Sequence, residues 1–153
     1  MILPDAAATR AAGARLAAAV QPGDAIALVG ELGAGKTTLV AGLVEELGAG
    51  SAHSPTFALV HEYRGGPLLV WHVDLYRIAR EAELVELGLD EVIGDPRGIS
   101  VIEWADRFDV MPRDHLRLEL VHAGAGRELI ATGTGPRGAA LSAAVLGSPP
   151  SPP

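Results

Sequence analysis

Hydrophobic and polar positions along the 153-residue chain alternate between two periods. Asp24–Val29, Leu68–Val73 and Ile99–Trp104 are short, nearly continuous apolar runs, the pattern of strands buried on both faces. An Ala-rich stretch with charges at Arg10 and Arg15 predicts an amphipathic helix, capped by Thr9, running to about Val20 and stopped by Pro22-Gly23. Lys36–Leu47 predicts a second helix, ended by Gly48. Phe57–Tyr63 and Leu68–Val73, separated by Gly65-Gly66-Pro67, predict two strands of a hairpin. Glu81–Leu87 and Leu89–Ile93 predict short helices split by Gly88. His115–His122 and Arg127–Thr132 alternate around a Gly-rich turn and predict a C-terminal hairpin. Ala139–Leu146 predicts a last short helix, and the Ser/Pro-rich residues 147–153 a disordered tail.

Strands alternating with helices, then a late hairpin, imply a single α/β domain over residues 1–146. The expected architecture is a three-layer P-loop NTPase-like fold with a mixed, mostly parallel central sheet. No apolar run reaches the roughly 18 residues needed to span a bilayer. The absence of cysteine excludes disulfides and thiolate metal sites, and a cytoplasmic location is the expectation. A formal net charge of −7 argues against a self-sufficient nucleic-acid binder. The acidic stretch Glu81, Glu83, Glu86, Asp90, Glu91 and Asp95 reads as a solvated helix face, or as a docking surface for a basic partner.

Between the first strand and the second helix, Gly30-Glu31-Leu32-Gly33-Ala34-Gly35-Lys36-Thr37 satisfies every fixed position of G-x-x-x-x-G-K-[ST], with Thr38 following. Small residues let the backbone wrap a phosphate with its N–H groups inward, and the following helix aims its positive end at the same anion. Lys36 supplies a compact ammonium, and Thr37 a hydroxyl for Mg²⁺, a hard cation that prefers oxygen. Lys36 is the only lysine among twelve basic residues, so a compact ammonium has been kept where a guanidinium would not fit.

A P-loop enzyme also needs a carboxylate at the end of a neighbouring strand. Asp74 and Glu103 each end an apolar run. One would serve Mg²⁺ and the other the attacking water, an assignment that these residues leave open. Ser54-Pro55-Thr56-Phe57 occupies the place of a switch segment sensing the γ-phosphate, or is a turn opening a strand. His53, His61, His72, His115 and His122 show no zinc-ligand spacing and read as ordinary strand and loop residues. A GTPase is excluded as far as its Asn-Lys-x-Asp segment is required, because the chain has no asparagine. A small-molecule kinase remains the alternative, with Arg77, Arg80 and Arg97 in a possible lid.

Taken in order, Gly30–Thr38, Ser54-Pro55-Thr56-Phe57, Asp74-Leu75-Tyr76-Arg77 and Glu103-Trp104 resemble the TsaE family, the bacterial ATPases of tRNA threonylcarbamoyladenosine biosynthesis, from about Thr9 to Thr132. The resemblance implies that Glu31, Leu32, Gly33, Ala34, Gly35, Lys36, Thr37 and Thr38 hold the phosphates of ATP. It implies that Thr37 and Glu103 hold Mg²⁺, with Asp74 in or near the metal and water shell and Thr56 in a switch-like loop. Thr9 and Arg127 would be peripheral nucleotide contacts. The family acts with TsaB-type and TsaD-type proteins, the latter transferring the threonylcarbamoyl group to the adenosine beside the tRNA anticodon. tRNA would then be met through the complex. The family's Glu-Trp-Pro segment is here Glu103-Trp104-Ala105, which frees one φ angle after the carboxylate.

Overall fold

The computed structural model describes residues 1–50 and 59–147. The Ser54-Pro55-Thr56-Phe57 segment, and with it the switch expectation for Thr56, lies outside the described residues, as does the tail from residue 148.

The apolar runs form a seven-stranded mixed sheet: β1 (Ile2–Leu3), β2 (Ala25–Val29), β3 (Val60–Tyr63), β4 (Leu69–Asp74), β5 (Gly98–Glu103), β6 (Leu116–Ala123) and β7 (Gly126–Gly133). Their order is β1-β7-β6-β2-β5-β4-β3. The four central strands β6, β2, β5 and β4 run parallel, and antiparallel strands close both edges. Both expected hairpins are present, and each lends one strand to the parallel centre. The two-residue β1, which the apolar pattern did not reveal, pairs with β7 through Ile2↔Glu128 and Leu3↔Arg127.

The helices are α1 (Ala6–Ala17), α2 (Lys36–Glu46), α3 (Glu81–Glu86), α4 (Leu89–Val92) and α5 (Pro136–Val145). Thr9 does not cap α1. Asp5 does, its Oδ1 accepting from the Ala8 amide at 2.8 Å, because an aspartate just before the first turn can satisfy an amide that has no intrahelical partner. Thr9 lies one turn inside, buried, and its hydroxyl turns back to the Asp5 carbonyl at 3.3 Å.

Side chains alternate across the sheet and build two cores. Ile26 and Leu28 of β2, Val70 of β4 and Ile99 and Val101 of β5 pack with Leu16 of α1, Leu39 and Leu43 of α2, and Leu141 of α5. Ala27, Val73 and Ile102 face the other way, onto Leu75, Ile78 and Leu89 beside α3 and α4. The result is the expected three layers. Each fully buried Leu or Ile contributes about 1.5–3 kcal/mol relative to exposure. Helix α2 lies tight against α1 because position 42 is glycine: a Cβ there would stand 1.9 Å from the Arg10 carbonyl oxygen.

This alternation also aims the chemistry. His72 and Asp74 share the face of Val70, and Glu103 shares the face of Ile99 and Val101. All three therefore point toward the layer that holds α2.

Candidate functional site

The loop joining β2 to α2 turns inward at the carboxyl edge of the sheet. Gly35, at φ 103°, adopts the left-handed backbone that lets the loop reverse into the helix, and α2 starts there with no side-chain cap. Its first-turn amides are thus left to whatever meets the helix N-terminus.

Beside this loop lies a cavity of about 400 Å³, walled by Gly33, Gly35, Lys36, Thr37, Thr38, Asp74, Glu103 and Trp104, with Leu32, Tyr76 and Arg77 at its margins. The register places Asp74 directly opposite Glu103 on neighbouring parallel strands. Lys36, 6% exposed, donates to the Gly30 carbonyl at 2.6 Å. Its Nζ also stands 3.9 Å from Glu103 Oε1 and 4.1 Å from the centre of the Trp104 ring. The sole lysine therefore faces a carbonyl, a carboxylate and an aromatic ring in one small volume.

Burial pulls the Lys36 ammonium below the usual lysine range, while Glu103, Asp74 and Asp106 oppose that pull. Burial likewise pushes the Asp74 carboxyl above the usual aspartate range, and the negative charge of Glu103 adds to it. The Tyr76 amide, donating to Asp74 Oδ1 at 2.9 Å, acts in the opposite direction, as do the charges of Lys36 and His72. A raised native pKa means that the ionised carboxylate costs stability in the fold. That cost is zero below the unfolded-state pKa, where Asp74 is protonated in both states, and complete above the native one. Asp74→Asn is therefore expected to raise Tm at pH 7 relative to the native chain, with the difference shrinking toward zero as pH falls below about 4. Calorimetry of both proteins across that range checks it, and an equal or lower Tm for the variant at pH 7 would count against a burdened carboxylate.

Trp104 is the only non-glycine described residue with positive φ, at φ 60° and ψ 32°. For an aromatic residue this conformation costs on the order of 1–2 kcal/mol. It is held by the Trp104 amide on the Leu28 carbonyl at 3.2 Å and by ring contact with Tyr76 at 5.0 Å between centroids. The strained turn swings the indole over Lys36 directly after Glu103. Ala105, where the family has proline, opens the 3-10 turn Ala105–Arg107 and is buried in the second core.

The other expected contacts take more specific places. Arg127 of β7 donates to the Ala34 carbonyl at 3.0 Å and the Gly33 carbonyl at 3.0 Å, gripping the outside of the loop. Arg127, Thr9, Thr38, Gly33 and Gly35 line a second cavity of about 210 Å³ on the α1 side. Glu31 is exposed and Leu32 is 69% exposed at the loop tip. Two residues, His72 and Arg107, were missed. His72 was read as an ordinary strand residue, but its Nε2 lies 2.7 Å from Glu103 Oε2. Its position two residues before Asp74, on the same face, was the available signal. Arg77, the last residue of the Asp74-Leu75-Tyr76-Arg77 segment, lines the Lys36 cavity. Arg107 donates to the Leu75 and Tyr76 carbonyls and holds the segment after Asp74, a contact without a local signal.

Fold and site together define a doubly wound α/β domain whose glycine-rich loop, helix N-terminus and paired strand-end carboxylates meet at the carboxyl edge of the sheet. The family model described as threonylcarbamoyl adenosine biosynthesis protein TsaE matches residues 3–129. The chain belongs to that family. It is 39% identical over 132 residues to the tRNA threonylcarbamoyladenosine biosynthesis protein TsaE of Bacillus subtilis (strain 168), covering 84% of this chain and 82% of the relative. It is 41% identical over 148 residues to the protein of that name from Streptomyces coelicolor, covering 90% and 98%. The crystal structure of YdiB from Bacillus subtilis superposes with a TM-score of 0.77 at 33% identity, over 93% of this chain and 89% of that one.

Proposed function

We propose that this protein is a Mg²⁺-dependent ATPase that supports threonylcarbamoyl modification of the adenosine beside the tRNA anticodon. In this reading it acts in the cytoplasm with TsaB-type and TsaD-type partners. The observation that carries the proposal is the convergence of Lys36, Thr37, Asp74 and Glu103 on one cavity at the N-terminus of α2.

The donor set fits the magnesium of such a site. Thr37, Asp74 and Glu103 offer hard oxygen atoms, the type this ion selects. No three His, Asp or Glu side chains among the described residues are grouped to hold a metal unaided. In this reading the ion is held by one or two carboxylates together with substrate phosphate oxygens. When bound, it would neutralise charge on the β- and γ-phosphates.

The chain's own residues supply the rest. The loop amides and the first turn of α2 receive phosphate oxygens. Lys36 exchanges the Gly30 carbonyl for those oxygens, keeping its short reach across the cavity. Asp74, whose carboxyl burial makes more basic than usual, orients the attacking water and takes up its proton as phosphate is released. Trp104 and Tyr76 wall one side against solvent. In this reading a partner surface completes the enclosure, and turnover by the isolated chain is slow.

The test is a pair of titrations with the full chain. Affinity for an ATP analogue, measured with and without the partners, should rise by the same factor as partner affinity rises on going from no nucleotide to analogue. Phosphate release should require Mg²⁺ and increase in the complex. Partner affinity that is equal in every nucleotide state, together with full turnover in isolation, would overturn the proposal. A small-molecule kinase would instead label an added acceptor and release no phosphate.

A further inference from the structure

His72 has no part in the chemistry above, yet it is the most deeply buried polar residue near the site, at 0% exposure. Its ring is stacked on Tyr63, 6.5 Å between centroids and 29° between planes. Nε2 lies 2.7 Å from Glu103 Oε2. A carboxylate oxygen only accepts, so Nε2 carries the hydrogen and donates it. Nδ1 has no partner among the described residues. A side chain kept only for packing at such a place would be apolar, because an unpartnered buried nitrogen is costly.

The contact also divides the carboxylate. Oε2 is occupied by His72, while Oε1 is the oxygen 3.9 Å from Lys36 Nζ. His72 is opposite Val101 in the β4–β5 register, one strand-period before the Asp74–Glu103 pair, so it reaches Glu103 diagonally from below. Rotation of the Glu103 carboxylate would break this short bond at a buried position.

We infer that His72 is a positioning residue: it anchors Oε2 so that Glu103 presents Oε1 to Lys36 and the cavity in one fixed orientation. The inference rests on the reading of that cavity as a Mg²⁺–nucleotide site. Groups that orient a metal-binding carboxylate from behind typically matter by about 10–100-fold in metal affinity or activity.

Two substitutions separate positioning from packing. In His72→Gln the side-chain amide nitrogen can take the place of Nε2 and keep the donor. His72→Leu keeps an apolar filling of similar size and removes it. Mn²⁺ binding to the protein–ADP complex, followed by electron paramagnetic resonance, reads the site without turnover. The Leu variant should bind Mn²⁺ about 10–100-fold more weakly, with KM for Mg²⁺–ATP rising by a comparable factor, because metal and nucleotide binding are linked, and kcat falling as well. The Gln variant should recover most of each. In the native resting protein, ¹⁵N NMR of the ring should show hydrogen on Nε2. The inference falls if the Leu variant binds Mn²⁺ as the native protein does. It also falls if Gln and Leu are equally impaired, which is the result for packing alone, or if Nε2 carries no hydrogen. Should the Leu variant fail to fold, the Gln variant and the native ring spectrum decide. Native protein that binds no Mn²⁺–ADP would overturn the nucleotide reading itself, whereas native binding with an unaffected Leu variant would overturn only the role of His72.

Discussion

Lys36→Ala is expected to reduce ATP hydrolysis by roughly 10²–10³-fold or more, the scale for removing a group that stabilises developing charge. Three features place the effect here. Lys36 is the chain's only lysine, its ammonium is almost wholly buried, and it bridges the Gly30 carbonyl and Glu103 across the cavity. The fold should survive, because the core contacts of α2 come from Leu39, Val40, Leu43 and Val44. Lys36→Arg should fail almost as badly. A planar guanidinium is wider than an ammonium, and the space between the Gly30 carbonyl and the Trp104 ring is already filled at 2.6 and 4.1 Å. Steady-state phosphate release and the affinity for a fluorescent ATP analogue measure both variants, and an arginine variant with native turnover would remove Lys36 from this role.

Glu103→Gln should cost turnover on a similar scale, about 10²-fold or more, and should shift the Mg²⁺ concentration needed for half-maximal rate upward. Glu103 is 3% exposed, ends the central strand β5 and is ion-paired with Lys36 at 3.9 Å. The amide keeps the shape and removes the charge, so Tm should change little while Mg²⁺ dependence changes strongly. Asp74→Asn, on the half-buried partner strand end, should lower turnover with less effect on Mg²⁺. A Glu103→Gln enzyme with normal rate and unchanged Mg²⁺ dependence would withdraw the assignment.

How much of this was legible in the sequence depends on the range of the contact concerned. Strands β2, β4 and β5 are buried on both faces, so their apolar runs announce them without help from partners. The loop and Lys36–Thr37 form a local unit whose geometry follows from adjacent residues. Asp74 and Glu103 could be named as strand ends, but their opposition needed the β4–β5 register. His72 shows the limit: its neighbour Asp74 was recognised, while its bond to Glu103 spans 31 residues and depends on which strands pair. β1 is two residues long and exists only because the β7 edge is available to it. The start of α1 was misplaced for a different reason. In an Ala-rich stretch the apolar period is faint, and Thr9 drew attention that belonged to Asp5. The left-handed turn at Trp104 has no sequence signal, since nothing in an aromatic side chain favours positive φ.

The order of strands in the sheet has a bearing on how the protein comes to exist. The strand that carries the loop, β2, is completed early, yet one of its two neighbours is β6, paired through Ile26↔Leu116 and Val29↔Glu119. The loop's outer grip comes later still, from Arg127, across separations of 93 and 94 residues. A ribosome adding about 5–20 residues per second takes several seconds to bridge that interval. Throughout it the loop and α2 are present as chemistry but not as geometry, because the β6–β7 hairpin that buttresses them has not been made. Such distant pairings are slow to close, since chain entropy is lost before contacts repay it. The finished shape of the loop is therefore among the last things this polypeptide acquires, and the nascent chain passes most of its synthesis with the site unassembled.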